Sequence, residues 1–248
     1  MQDPTSSLVR RVPALSFAWL GGAAFVASLF YFLYFYFVQL GHDRPSAGPV
    51  GRAVAIDVAL FAAFALHHST MARSRAKDWL ARLAPVEHER TLYVWVASAL
   101  FFAVCWGWQR IPGQVYRVDG WASALFHALQ VGGILLAVAS ARSIDVLDLS
   151  GIRRVRQPGA SPVAAHEMGR LETGGPYRLV RHPIYLGTLV LLVATPALTA
   201  DRLLFSGLVF VYLAIGIALE ERSLRATFGA AYADYARRVR WRLVPGVY

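Results

Sequence analysis

The chain has 248 residues, of which 56% are hydrophobic and 13% aromatic, and its mean hydropathy is +0.44. These values exclude an ordinary soluble domain and indicate an integral membrane protein. The formal net charge is +10. The basic residues lie between apolar runs and not on one soluble face, so the charge predicts contact with membrane lipids and argues against a nucleic-acid partner.

Apolar segments follow one another along most of the chain and predict an all-α integral membrane protein with five to six transmembrane helices. The last apolar block contains Pro196 and the pair Asp201-Arg202, so it predicts two helices joined by a tight turn. The first segment is too long for the core of a signal peptide and is therefore predicted to be retained. The predicted spans are residues 15–40, 50–68, 92–108, 121–141 and two helices within 184–219.

Two polar segments separate these spans, and a charged tail follows them. Residues 69–90 have the spacing of a helix that lies on the membrane surface. Residues 142–181 form a long polar segment, and residues 220–248 predict a charged amphipathic helix. We interpret the whole as one integrated domain, with a four-helix membrane region over residues 1–141 and a cofactor-binding region over residues 142–248.

The distribution of basic residues predicts the orientation in the membrane. Of the 25 Lys and Arg residues, about four fifths fall on the side that holds the N-terminus, both long polar segments and the tail. The positive-inside rule places that side in the cytoplasm. We therefore expect both termini and the site described next to be cytoplasmic, in a bacterial inner membrane.

The stretch TGGPYRLVRHPIYLG, residues 173–187, is the candidate functional core, and the pair Glu220-Glu221 follows it at the end of the last apolar run. A ligand with a carboxylate and an amino group would pair the first with Arg181 or His182 and the second with a glutamate. S-adenosylmethionine has both groups and a sulfonium cation. Taken singly, each residue is better explained as a membrane anchor or as the start of the tail, so the prediction depends on the combination.

The stretch GGPYRLVRHPIYLG, followed by LEERSLRATFGAAYADYARRV, resembles the C-terminal half of the integral-membrane methyltransferases. That superfamily includes isoprenylcysteine carboxyl methyltransferases and phospholipid N-methyltransferases. The resemblance implies an S-adenosylmethionine-dependent methyltransferase. Its implied cofactor-binding residues are Gly169, Arg170, Leu171, Glu172, Thr173, Gly175, Tyr177, His182, Pro183, Tyr185, Gly187, Glu220 and Glu221.

The N-terminal half is similar to bacterial methanethiol S-methyltransferases and their NnrU-like relatives, through HHSTMARSRAKDWLARL and the later SIDVLDLSGIRRV. It departs from that pattern at three places: His67 replaces Gln, Thr91 replaces Ser and Val146 replaces His. Gly216 stands where carboxyl methyltransferases have an arginine for the substrate carboxylate. The resemblance therefore implies a small thiol such as methanethiol as the methyl acceptor, with a lipid-like acceptor as the alternative.

Two residues are candidates for handling a thiol proton. His68, beside Ser69 at the end of a predicted span, is a possible base or a simple interfacial cap. Arg181 would add a cationic field that favours the thiolate. A metal site at His67-His68 is disfavoured, because adjacent helical histidines point about 100° apart and no third ligand is evident.

Three classes of function remain open from the sequence. Besides a methyltransferase, a sterol-reductase-like enzyme that uses NADPH has a similar C-terminal pattern, although such enzymes usually have an acid where this chain has Thr188. A non-enzymatic NnrU-like membrane factor is the third. The sequence leaves open the oligomeric state and whether the acceptor enters from the cytosol or the bilayer.

Overall fold

The computed structural model describes residues 4–40, 42, 45–71, 89–142, 152 and 171–248. Within these residues, five helices are long and apolar enough to cross a membrane. The predicted all-α membrane architecture is therefore confirmed. The surface helix predicted over residues 69–90 and the polar segment 142–181 lie mostly outside the described residues.

The chain divides into two compact units, and the first contains three long helices. Helix α1 spans Pro4–Tyr34 and continues into a π-helical turn, Phe35–Gln39. Helix α2 spans Val50–Met71 and helix α3 spans Glu89–Gly107. The ends of α2 and α3 lie within three residues of the spans predicted at 50–68 and 92–108, because long apolar runs determine them locally, whereas α1 begins eleven residues before the span predicted at 15–40.

Helix α3 packs against both α1 and α2, largely through aromatic rings. The rings of Phe32 and Phe101 are 5.5 Å apart, and those of Phe64 and Phe101 are 5.1 Å apart. The indole Nε1 of Trp95 donates a hydrogen bond to the carbonyl of Phe17. The dense aromatic block at the end of the first span therefore forms a packed seam between helices.

The second unit contains two long helices, one short helix and a small ribbon of sheet. Helix α4 spans Trp121–Ala141, helix α5 spans Pro183–Val193 and helix α6 spans Ala200–Arg238. Helices α5 and α6 confirm the two helices predicted within the last apolar block. Helix α4 groups with this unit and not with the first three helices. The prediction that residues 142–248 form the cofactor-binding region stays a prediction.

The connection before α6 differs from the predicted tight turn. Strand β1, Gln114–Arg117, pairs in antiparallel fashion with strand β2, Ala197–Thr199. The buried guanidinium of Arg202 donates hydrogen bonds to Thr195 Oγ1 at 2.7 Å and to the Ala197 carbonyl at 2.6 Å. The strand pairing and the guanidinium of Arg202 together provide hydrogen-bond partners for backbone groups. Those groups would cost free energy if they stayed unpaired in an apolar environment.

Helices α4 and α5 cross at two glycines. A Cβ atom on Gly187 would lie 2.4 Å from the carbonyl oxygen of Gly133, and one on Gly133 would lie 2.6 Å from that of Gly187. The side-chain amide of Gln130, fully buried, donates to the Leu191 carbonyl near this crossing. Small residues thus let the two backbones touch, as is common between membrane helices.

Helix α6 carries the glutamate pair within its length and not at its end. Its N-terminus is capped by Thr199, whose side chain accepts a hydrogen bond from the backbone N–H of Arg202. The backbone leaves helical geometry at Gly229, where φ is 49° and ψ is −119°. This φ value favours glycine, and the break redirects the last turns of the helix.

Candidate active site

The Arg181-His182 pair is held in place by the segment that follows α6. The backbone N–H of Arg181 donates to the carbonyl of Trp241 at 3.0 Å, and that of His182 donates to the carbonyl of Arg242 at 2.9 Å. Pro183 then begins α5, where its missing N–H costs nothing. Two backbone bonds therefore fix the pair directly before the first turn of α5.

Glu221 is the centre of a buried network of hydrogen bonds. Its Oε1 atom lies 2.7 Å from Arg181 Nε, 2.6 Å from the hydroxyl of Tyr232 and 3.2 Å from His182 Nε2. Its Oε2 atom lies 3.3 Å from Arg225 Nη2. Because the side chain is only 5% exposed, this set of donors offsets the cost of burying the charge.

Arg181 is committed to the same network. Besides Glu221, its Nη1 atom donates to the carbonyls of Val239 at 2.8 Å and Arg240 at 3.0 Å. The side chain is 6% exposed. Arg181 thus joins α6, the segment after it and the start of α5. The structure gives this residue a positioning role, and its predicted contribution to catalysis stays a prediction.

Glu220 has a different environment from its neighbour. Its Oε2 atom accepts a hydrogen bond from the hydroxyl of Tyr185 at 2.8 Å and lies 3.6 Å from His182 Nδ1. The side chain is 28% exposed, about five times as much as that of Glu221. Of the two adjacent carboxylates, Glu220 is the one that a ligand can approach.

His182 lies between the two carboxylates and stacks on Tyr185. The two rings are 5.5 Å apart and almost parallel. Burial by itself lowers the pKa of His182, but hydrogen bonds to Glu220 and Glu221 and their negative charges outweigh it, so the pKa is raised. The imidazolium form therefore shares its charge between both acids.

Two tyrosines after the break at Gly229 complete the cluster. Tyr232 bonds to Glu221 as described, and the hydroxyl of Tyr235 donates to the carbonyl of Tyr177 at 2.8 Å. Both rings are buried and pack with Leu171 and Tyr177. Neither tyrosine is among the site residues that the resemblance implied, although both stand in the stretch LEERSLRATFGAAYADYARRV that carries it.

The structure brings together many of the residues that the sequence predicted. Glu172, through Oε1, accepts a hydrogen bond from the N–H of Gly174 at 2.7 Å, next to the 3₁₀ turn Gly175–Arg178. Gly187 lies at the crossing of α4 and α5, so packing alone explains its lack of a side chain. Gly169 and Arg170 lie outside the described residues. The other predicted site residues of this region are described and belong to the second unit. They are Leu171, Glu172, Thr173, Gly175, Tyr177, Arg181, His182, Pro183, Tyr185, Gly187, Glu220 and Glu221.

His68 belongs to the first unit, near the end of α2. Its ring lies 5.6 Å from that of Phe64 and 5.9 Å from that of Tyr93. Its proposed roles as a base or as an interfacial cap both stay predictions.

Comparison with known proteins connects this arrangement to a family. A family model described as phospholipid methyltransferase matches residues 127–231. Methanethiol S-methyltransferase 2 of Bradyrhizobium diazoefficiens is 37% identical over 92% of this chain and 89% of its own length. Methanethiol S-methyltransferase of Mycobacterium tuberculosis is 35% identical over 79% of this chain and 80% of its own length.

A third relative has a different kind of name. Nurim of Homo sapiens is 31% identical over 74% of this chain and 71% of its own length. The comparison with solved structures found no significant match.

Proposed function

This chain belongs to the membrane methyltransferase family that includes the methanethiol S-methyltransferases, and from that premise we propose that it transfers a methyl group from S-adenosylmethionine to a small thiol. The family makes the protein a methyltransferase that uses a methyl donor. The identity of the donor and of the acceptor belongs to the proposal. Methanethiol is the acceptor that the names of several relatives suggest.

The proposal rests on the different environments of Glu220 and Glu221. Glu221 is occupied by Arg181, His182 and Tyr232, whereas Glu220 keeps more than a quarter of its side chain exposed. An accessible carboxylate, oriented by a tyrosine and a histidine, fits the cationic end of S-adenosylmethionine. The residues present therefore fit this cofactor, which supplies an activated methyl group on a sulfonium when bound.

The residues of the chain orient the reactants and do little acid or base chemistry themselves. Tyr185 and His182 fix the rotamer of Glu220, and Glu221 with Arg181 fixes the position of His182. Methyl transfer from a sulfonium needs alignment and exclusion of water more than proton transfer to a leaving group. The buried network around Glu221 holds the more accessible carboxylate of Glu220 in one position, which provides that alignment.

A small thiol fits this chain better than a lipid carboxylate. Gly216 lies on α6 about one turn before Glu220, and a Cβ atom built there meets nothing within 4 Å. Without an arginine at this position, the cation that a carboxylate acceptor would require there is missing. A thiolate, in contrast, needs only a narrow apolar approach to the methyl group.

Orientation is part of the proposal. The excess of basic residues on one side favours a cytoplasmic site and cytoplasmic termini in a bacterial inner membrane. The donor would then come from the cytosol, where such metabolites are made, while an apolar thiol would reach the site from either phase.

The test is a methyl-transfer assay with purified protein in detergent and S-adenosylmethionine labelled in its methyl group. We expect methanethiol to be methylated faster than phosphatidylethanolamine or farnesylcysteine at matched concentrations. Faster methylation of either lipid would show that the thiol is not the acceptor. Calorimetry with S-adenosylhomocysteine and with NADPH tests the cofactor separately, and binding of NADPH alone would overturn the donor assignment.

A further inference from the structure

A second group of aromatic and imidazole rings lies at the end of α2, within the first unit. The ring of Tyr93, on α3, stacks on that of His67 at 5.7 Å with an interplanar angle of 19°. Tyr93 also contacts His68, and His68 contacts Phe64. The ring of Tyr93 thus contacts both histidines, and that of Phe64 contacts His68.

The Nε2 atom of His67 is buried and has no hydrogen-bond partner among the described residues. This residue falls inside a candidate membrane span, Val50–Thr70. A buried polar atom without a partner costs free energy, and an ionisable side chain in a membrane span is a candidate for a functional role. The surrounding rings do not supply a partner, because a stacked ring offers no acceptor or donor in the plane of the imidazole.

The chemistry of this group matches one ligand class. Sulfur makes favourable contacts with aromatic rings at about 5 Å. A sulfhydryl is also a weak hydrogen-bond donor, and a neutral imidazole nitrogen is an acceptor. A small alkanethiol would therefore satisfy Nε2 with its S–H and place its sulfur and methyl group against Tyr93.

We propose that His67 binds the sulfhydryl of the acceptor through Nε2, in a small-thiol site that α2 and α3 form around Tyr93. This inference rests on the proposed function, since it assigns the residue that recognises the acceptor of that reaction. It differs from the sequence prediction, which placed the thiol beside His68. His67 acts here by binding and orienting the acceptor, and the donor side of the reaction is unaffected by it.

Two isomers test the hydrogen bond directly. Ethanethiol and dimethyl sulfide have the same atoms, but only ethanethiol has an S–H group. Each is titrated against unsubstituted protein and against His67→Leu, with inhibition of methanethiol methylation as the measure of affinity. We expect His67→Leu to lose about 2- to 12-fold in affinity for ethanethiol and to bind dimethyl sulfide unchanged.

A conservative variant of His67 and a control variant on the same helix complete the design. His67→Gln keeps a hydrogen-bond acceptor and is the residue at this place in the pattern that the N-terminal half resembles, so it should retain most of the affinity for ethanethiol. Thr70→Val is the control, because its hydroxyl is exposed and bonds only to its own helix. Calorimetric affinity for S-adenosylhomocysteine should be unchanged in every variant, which reports that each one is folded. His67→Met, which keeps the bulk of the side chain, replaces His67→Leu if that variant fails to fold.

The outcomes separate this inference from the proposed function. If unsubstituted protein methylates thiols and His67→Leu and His67→Met both keep full affinity for ethanethiol, the inference is wrong while the proposed function stands. An equal loss for ethanethiol and dimethyl sulfide also overturns it, because packing alone would then explain the effect. If unsubstituted protein neither methylates nor binds a thiol, both fail together.

Discussion

The Nε atom of Arg181 lies 2.7 Å from Oε1 of Glu221, and both side chains are almost fully buried. This bond joins the residue before α5 to the middle of α6, across 40 residues of sequence. The neighbouring Glu220 is more accessible, with 28% of its side chain exposed. Two adjacent acids of the same type therefore have separate tasks: Glu221 holds the site together, and Glu220 is presented to a ligand.

Removing the buried carboxylate is expected to destabilise the protein. Glu221→Gln leaves the guanidinium of Arg181 buried without its counter-charge, which costs about 3–5 kcal/mol. The free energy of unfolding in detergent measures this loss. The control is Asp234→Asn on the same helix, whose partner Arg237 is exposed, so little change is expected there. Equal stability of both variants would contradict the central role of Glu221.

Neutralising Glu220, the more accessible carboxylate, is expected to weaken cofactor binding more than it weakens the fold. Glu220→Gln loses one charge-assisted hydrogen bond to the donor, worth about 1.5–3 kcal/mol, or roughly ten- to hundredfold in affinity. Isothermal calorimetry with S-adenosylhomocysteine measures the affinity, and thermal unfolding checks the fold. A folded variant that binds as tightly as unsubstituted protein would remove Glu220 from the cofactor site.

The helix crossing gives a matched pair of glycine substitutions. Gly187→Ala puts a Cβ atom 2.4 Å from a backbone oxygen, which forces α4 and α5 apart and should cost about 1–3 kcal/mol in unfolding free energy. Gly132→Ala, on α4 with nothing within 4 Å of its Cβ position, should be neutral or slightly stabilising. If the two variants unfold at the same midpoint, the close crossing does not limit stability. If Gly187→Ala weakens cofactor affinity without changing the unfolding midpoint, Gly187 contributes to the pocket directly.

We expect His182, which lies between the two acids, to make the free energy of unfolding depend on pH. The pKa of His182 is raised above its ordinary value of 6.5, because bonds to Glu220 and Glu221 outweigh the effect of burial. The contribution of the imidazolium is fully present below pH 6.5 and is lost as the pH rises through the raised pKa. The folded state holds the extra proton in that window, so the free energy of unfolding should fall with rising pH.

The His182→Gln variant isolates this effect. Its unfolding free energy should be lower than that of unsubstituted protein at pH 6, and the difference between the two should shrink as the pH increases. Chemical unfolding in detergent across that range gives both curves. Parallel curves would show that His182 does not titrate differently in the folded and unfolded states.

The sequence by itself determined the membrane-spanning elements and the family. A run of apolar residues such as 121–141 specifies a helix of known length wherever it lies, and the structure begins and ends α4 at those residues. The ordered residues of the Arg181–Tyr185 stretch and the glutamate pair carried the resemblance, because their types and spacing are visible without coordinates. Hydrogen bonding within a helix is local, so local sequence is sufficient to predict it.

Only the tertiary structure decided what each polar residue does. The sequence presents Glu220 and Glu221 as equivalent, and about 100° of helix rotation directs one to the buried Arg181 and leaves the other accessible. The resemblance implies a pocket role for Gly187, and the structure adds a packing role against the backbone of Gly133. Two adjacent histidines look alike in the sequence, and the structure shows that the buried Nε2 atom of His67 has no hydrogen-bond partner among the described residues. Such contacts join distant parts of the chain, and their distances and exposures depend on how the helices pack.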